Sequence, residues 1–250
     1  MTELTVRGIR TRMLRGGAGP RVLFLHGAAG LSGWSEFFQL LASRYEIWFP
    51  EHPGFGLTEE SSAITNITEL AGYYRHFIEG TGVGPCHVIG SSFGGWLAAE
   101  LATLEDVALR SLTLIGPAGL RARVAGARPA TEEAFVRKLY YDQTVADRVL
   151  ATPMDEEQRR LQTVNRNAAA RLGGSFHNPD LEPALTTINA PALVLWGDQD
   201  QLVPADQAPL WHGCLRRSEL TVFANCGHLP HFEQPATVDR RIQDFLAMHS

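Results

Sequence analysis

Cysteine is scarce in this sequence. Of 250 residues, only Cys86, Cys214 and Cys226 are cysteines, an odd number at wide spacings. No C-x-x-C pair and no zinc ladder is present. The three are read as reduced core thiols, so a reducing, cytoplasmic compartment is expected. Long apolar runs are also missing. No stretch approaches the roughly 20 apolar residues of a membrane span. The start, MTELTVRGIRTRMLRGG, holds no apolar run of signal-peptide length. Basic excess is missing as well. The formal net charge is −5, spread without long like-charged runs. That speaks against nucleic acid or an anionic membrane as partner. Internal repeats and low-complexity segments are absent too.

What is present suits one α/β domain. Hydrophobic residues make up 44% and charged residues 20%, enough for a sizeable core in a soluble chain. Leu4 to Ile9 and Arg12 to Leu14 alternate in character, as a half-exposed antiparallel pair does. Val22 to Leu25 is a short continuous apolar run, the pattern of a parallel strand buried on both faces. Ile47 to Phe49, His87 to Gly90, Leu112 to Ile115, Ala192 to Trp196 and Leu220 to Phe223 repeat it. Helical spacing lies between the strands, at Trp34 to Leu41, Ile67 to Glu79 and Gly94 to Leu104. This alternation predicts a parallel sheet with helices on both faces. From about Arg121 to Asn178 the chain is polar and helical in period, with helices expected over Glu132 to Tyr141, Val145 to Leu150 and Asp155 to Leu172. The simplest account is one sheet interrupted by a helical insertion.

Ser92 sits in Gly90-Ser91-Ser92-Phe93-Gly94. This is G-x-S-x-G between an apolar strand and an Ala-rich helix, the context in which a serine becomes a nucleophile on a tight turn. The Phe93 amide then opens a helix, whose N-terminal dipole suits an oxyanion. A serine hydroxyl needs a base. His228, in Asn225-Cys226-Gly227-His228, follows the last apolar strand, and Asp200 follows the strand before it. All three lie at strand ends on one edge of the sheet. Two rivals exist. Asp198 is two residues from Asp200, but Asp200 lies deeper in the turn before Val203-Pro204. His231 is three residues past His228, and Glu233 beside it suggests a structural hydrogen bond. His26-Gly27-Ala28-Ala29-Gly30 follows the Val22 to Leu25 strand. The Ala28 amide is the candidate second oxyanion donor, and the His26 ring is read as a buried histidine bonded to loop backbone.

HGAAG, EHPGFG, GSSFGGW, WGDQDQLVP and CGHLPHFEQP, in this order, resemble the α/β-hydrolase superfamily over nearly the whole chain. The resemblance implies an eight-stranded, mostly parallel sheet and a helical cap. Core segments would be 1–117 and 186–250, with the cap at 118–185. It implies Ser92, Asp200 and His228 as catalytic triad, and the Ala28 and Phe93 amides as oxyanion hole. A small-molecule substrate is expected, with no metal or organic cofactor; oligomeric state is left open. The chain resembles both small carboxylesterases and hydrolases that cleave carbon–carbon bonds in ring-fission products. The latter carry Asn just before the nucleophile and Trp four residues after the catalytic His. Here those positions are Ser91 and Phe232, so acyl-enzyme cleavage of an ester is the expectation. Carbon–carbon cleavage of a vinylogous diketone, or a non-catalytic receptor on the same fold, is the alternative. Phe135, Leu139, Tyr140 and Leu161 could line a pocket or pack the cap, and Arg166 and Arg171 are read as a solvated face.

Overall fold

Short runs of Val, Leu, Ile and Phe can satisfy their backbone and bury both faces only in the middle of a sheet. The computed structural model of the protein describes residues 1–121 and 131–250, and places these runs there except Leu220 to Phe223, which forms an edge strand with Val222 exposed. The eight strands are β1 (Thr2–Val6), β2 (Ile9–Gly16), β3 (Arg21–Leu25), β4 (Glu46–Pro50), β5 (Cys86–Ser91), β6 (Leu109–Ile115), β7 (Ala192–Gly197) and β8 (Ser218–Phe223). Their order in the sheet is β1-β2-β4-β3-β5-β6-β7-β8. The pairs β1–β2 and β2–β4 are antiparallel. All other pairs are parallel. The helices are α1 (Glu36–Leu41), α2 (Ile67–Thr81), α3 (Phe93–Ala102), α4 (Glu132–Leu139), α5 (Gln143–Ala151), α6 (Glu156–Gly173), α7 (Leu181–Leu185), α8 (Ala208–Cys214), α9 (Pro230–Glu233) and α10 (Pro235–Ala247).

The strand order fixes where a ligand can sit. From β3 the chain crosses to β4 on one side, then returns to β5 on the other. Loops leaving the C-terminal ends of β3 and β5 therefore diverge and leave a crevice, the usual ligand position in an open α/β sheet. The loop after β3 is His26–Gly30, and Ser92 follows β5 directly.

Between β6 and β7 lie α4 to α7 and no strand among the described residues. The stretch 122–130 of the expected insertion lies outside the described residues. Helix α6 begins as its sequence predicts. Asp155 caps it, accepting from Gln158 N–H while the Gln158 side chain accepts from Asp155 N–H. Several boundaries differ from the sequence reading, and three have a visible cause. The first hairpin turns at Arg7 and Gly8, both at positive φ (51° and 83°), so the strand pattern around Leu4 to Ile9 breaks there. Helix α1 starts at Glu36, with Ser35 extended before it. Helix α4 ends at Leu139, because Leu139 O accepts from His228 N–H and Tyr140 is extended.

Buried side chains line both faces of the sheet. On one face Phe24, Phe37, Phe38 and Phe49 pack with Val238, Ile242 and Phe245 of α10. On the other, Tyr74 and Phe77 of α2 and Trp96 and Leu97 of α3 pack against Leu23, Leu25 and Val88. No helix among the described residues is long and apolar enough to cross a membrane.

His231 is buried in the first of these layers. Its ring centroid lies 6.1 Å from Phe24, 5.5 Å from Phe37 and 4.4 Å from Phe232. Burial first, and His228 nearby second, hold its pKa down to about 3. Unfolded, it would gain a proton below about pH 6.5. The folded pKa is the lower one, so stability is complete above pH 6.5 and falls as pH drops toward 3. By pH 4 this residue alone removes about 3 kcal/mol. His231→Phe should fold and should flatten the decline of Tm between pH 6.5 and 4. An unaltered decline, measured by calorimetry across that range, would refute the assignment.

Candidate active site

The turn from β5 into α3 is too tight for side chains at its flanks. A Cβ on Gly90 would strike Gly94 O, and one on Gly94 would strike Leu25 O and His26 O. With glycine at both positions Ser92 is driven to φ 56°, ψ −115°. Four hydrogen bonds hold it there. Its N–H donates to Ile115 O at 2.8 Å, and its carbonyl accepts from Gly95, Trp96 and Ala118 N–H. Two of the four partners, Ile115 and Ala118, flank the end of the neighbouring strand β6. The next residue on that strand end, Gly116, lies against the His228 ring; a Cβ there would be 3.3 Å from Nδ1.

Asp200 and His228 come together as their strand-end positions require. His228 Nδ1–H donates to Asp200 Oδ2 at 2.7 Å, and both side chains are buried. Asp200 Oδ1 accepts from Leu202 N–H at 2.8 Å and Val203 N–H at 2.9 Å. The carboxylate is thus held by three N–H donors and cannot rotate freely. With Nδ1 carrying the proton, Nε2 presents its lone pair. Among the described residues Nε2 has no hydrogen-bond partner. No Ser92–His228 hydrogen bond is formed in this structure. Such bonds commonly tighten only when substrate binds.

The rivals go elsewhere. Asp198 accepts from Cys226 N–H at 3.2 Å and stitches the β7 loop to the β8 loop. His231 lies among phenylalanines, away from Asp200. Glu233 does not serve His231; it accepts from Gly227 N–H at 2.6 Å and from Asp142 N–H at 3.3 Å. Leu139 and Tyr140 pack with Val136, Ala146, Leu229 and Phe232. Phe135 and Leu161 are half-buried. Arg166 pairs with exposed Glu132, while Arg171 reaches Ile64 O at 2.6 Å and Glu60 at 3.3 Å. Arg171 stays exposed, as read, and also docks α6 onto the core. Ser91 is buried, and its hydroxyl has no partner among the described residues.

The loop after β3 is built around two stacked histidines, with ring centroids 3.6 Å apart. His52 N–H donates to His26 Nε2 at 3.0 Å, so His26 carries its proton on Nδ1 and donates to Gly27 O at 2.8 Å. His52 Nε2–H donates to His26 O at 3.0 Å, and its Nδ1 accepts from the Tyr74 hydroxyl at 2.6 Å. Burial pulls the His26 pKa down to about 4 and His52 well below its usual value. His26 is thus a buried, backbone-bonded histidine, as the sequence suggested. His52 and Tyr74 were not legible as its partners. Gly30 N–H closes the turn on Gly27 O at 3.1 Å. The amides of Ala28 and Phe93 have no acceptor among the described residues. Two free N–H groups, a strained serine hydroxyl and an imidazole lone pair suit attack on a carbonyl.

The chain matches the alpha/beta hydrolase family over residues 22–241. It is 30% identical over 244 residues to the dihydrolipoyllysine-residue acetyltransferase component of the acetoin cleaving system of Cupriavidus necator. That match covers 92% of the chain and 64% of the relative, so the chain spans just under two thirds of that protein's length. It is 26% identical over 274 residues to the 2-hydroxy-6-oxo-6-phenylhexa-2,4-dienoate hydrolase of Burkholderia cepacia, across 99% of the chain and 94% of the relative. Among solved structures, a meta-cleavage product hydrolase from Pseudomonas fluorescens IP01 superposes with a TM-score of 0.80. The identity is 20%, over 100% of this chain and 98% of that one, and the likeness is one of fold.

The two acids should separate cleanly on mutation. Asp200→Asn loses the acceptor that fixes the His228 tautomer, and kcat should fall about 10⁴-fold. Asp198→Asn weakens one loop hydrogen bond and should cost less than about tenfold. Steady-state kinetics on any turned-over substrate decides between them, and the reverse ranking would make Asp198 the acid.

Proposed function

The chain belongs to the alpha/beta hydrolase family, and from that premise we propose a serine hydrolase with Ser92 as nucleophile, His228 as base and Asp200 as orienting acid. One observation carries the reading. The 2.7 Å bond from His228 Nδ1 to Asp200 leaves Nε2 unpartnered, and the ring lies against Gly116, at the strand end to which the strained Ser92 elbow is bonded. Ser92 Oγ attacks a carbonyl carbon as His228 Nε2 takes its proton. The carbonyl π pair moves to oxygen, which the Ala28 and Phe93 amides hold. Collapse expels the leaving group, and His228 returns the proton to it. Water, activated by His228, then releases the acyl group from Ser92. Residues 118–185 act as the cap over this site.

For the leaving group, the likeness to the 2-hydroxy-6-oxo-6-phenylhexa-2,4-dienoate hydrolase favours a stabilised carbanion, from cleavage of a carbon–carbon bond in a 2-hydroxy-6-oxo-dienoate. This vinylogous diketone is the first substrate class we assign. A second reading, ester hydrolysis, is favoured by two specific residues. Ser91 and Phe232 stand where carbon–carbon hydrolases resembling this chain carry Asn and Trp. Both reactions share the attack step and differ in what departs.

A panel of nitrophenyl esters of rising acyl length, a thioester and a ring-fission dienoate separates the two. Dienoate turnover with kcat/KM at least about 100-fold above the best ester supports carbon–carbon cleavage, a difference of about 2.7 kcal/mol in barrier. The reverse preference supports an esterase. Ser92→Ala should abolish every activity and all labelling by a fluorophosphonate. Activity that survives this substitution undiminished rules out the covalent mechanism.

A further inference from the structure

The Ala28 amide depends on a loop with little to hold it. Ala28 and Ala29 are the central residues of the Gly27–Gly30 turn, and neither has a side chain that could anchor it. The Gly27 carbonyl is fixed from below, by His26 Nδ1–H and Gly30 N–H. The next carbonyl, Ala29 O, is fixed from above. It accepts from Asn165 Nδ2 at 2.7 Å, and Asn165 belongs to the inserted helix α6. The other end of the same amide, Oδ1, accepts from Gly56 N–H at 2.7 Å. A backbone N–H only donates and a carbonyl only accepts, so the orientation of the Asn165 amide has one solution. Gly30, at φ +87°, lets it approach: a Cβ there would collide with the Asn165 amide. The Gly56 end is stiff. Glu51 Oε2, itself 3.5 Å from Arg12, accepts from Leu57 N–H, Thr58 N–H and Thr58 Oγ1–H within the same loop. Asn165 is buried and spans 109 and 136 residues of sequence to its two partners.

We propose that Asn165 is a positioning residue for the oxyanion hole. By holding Ala29 O it sets the turn that aims the Ala28 N–H at the reacting carbonyl, and so ties the catalytic step to this one side chain of α6. The inference rests on the serine hydrolase reading and on Ala28 as an oxyanion donor. Ala29 is exposed. Without Asn165 its carbonyl can turn to water, so the turn loosens while the fold persists. The loss then falls on the transition state, where the oxyanion forms, and spares substrate binding.

Two variants and one control test this. Asn165→Ala removes both bonds. Asn165→Asp keeps an acceptor for Gly56 N–H and puts an oxygen against Ala29 O. Arg171→Met is the control, since it undocks another part of α6 without touching the 27–30 turn. The first readout is the rate of Ser92 labelling by a fluorophosphonate, whose phosphoryl oxygen needs the same two amides. The second is kcat and KM on a nitrophenyl ester or dienoate, with Tm measured alongside. Both Asn165 variants should label about 10- to 100-fold more slowly, with kcat reduced in parallel and KM within about threefold. Arg171→Met should stay within about twofold. The acid limb of the pH profile should not move, because His228 and Asp200 are untouched. Labelling of Asn165→Asp at the wild-type rate would overturn the proposal, and so would an equal slowing in Arg171→Met. Loss of cooperative melting in both Asn165 variants would also overturn it, by assigning the residue to folding. Failure of the wild type to label is a different result, and it removes the serine hydrolase reading itself.

Discussion

The strained backbone at Ser92 is the constraint on which the site depends. A non-glycine residue at φ 56°, ψ −115° is sparsely populated and costs on the order of 1–3 kcal/mol. It persists only where the surroundings over-determine it. Here the hydrogen bonds to Ile115 and Ala118 matter as much as those within α3. They fasten the elbow to the end of β6, and Gly116 between them touches the His228 ring. Serine and imidazole are therefore referenced to a common strand end. Neither loop has to find the other through long side chains.

The same economy governs the oxyanion side. Desolvation holds His26 neutral down to about pH 4 and pulls His52 well below its usual value too. That neutrality selects the hydrogen-bond arrangement. His26 Nε2 must accept from His52 N–H, which a protonated ring could not do. Tyr74, whose hydroxyl burial keeps protonated, supplies the donor that His52 Nδ1 requires. Three side chains with ordinary titration behaviour thereby become a fixed scaffold with one pattern of donors and acceptors. The Gly27 carbonyl is its output.

Much of this was legible in the sequence, and the remainder was not, for identifiable reasons. Short apolar runs of period-independent hydrophobicity marked β3 to β7 because both faces of those strands are covered, whereas the similar run in β8 lies at the sheet edge with Val222 exposed. The G-x-S-x-G turn was legible because glycine at 90 and 94 is a steric requirement that leaves a local signature. Asp200 and His228 were legible as strand-end residues, but their 2.7 Å contact is a product of sheet order, which spacing alone does not encode. Helices α7, α8 and α10 were not singled out. Arg171 was legible as exposed, but its contacts with Ile64 O and Glu60 were not, because amphipathic period assigns a face without naming what it touches. Asn165 carried no signal at all. It is one polar residue in VNRNAAA, and its two partners, Ala29 and Gly56, are backbone groups with no sequence identity of their own.

That last case bears on what the insertion between β6 and β7 does. An element that only shaded the substrate would rest on the core through side-chain packing at its rim. This one also bonds to core backbone at functionally placed points. Leu139 O accepts from the N–H of His228 itself. Glu233 bridges the insertion at Asp142 N–H to Gly227 N–H, one residue before His228. Asn165 bridges Ala29 O to Gly56 N–H. The insertion thus grips the base loop and the oxyanion loop. Its freedom to vary is consequently uneven. Half-buried Phe135 and Leu161 are bound by none of these backbone contacts. Leu139 and Asn165 cannot shift without moving the backbone of His228 or of Ala29, both in the proposed site. Residues free of these backbone bonds and residues fixed by them are therefore interleaved along the same helices, Phe135 one turn from Leu139 and Leu161 one turn from Asn165.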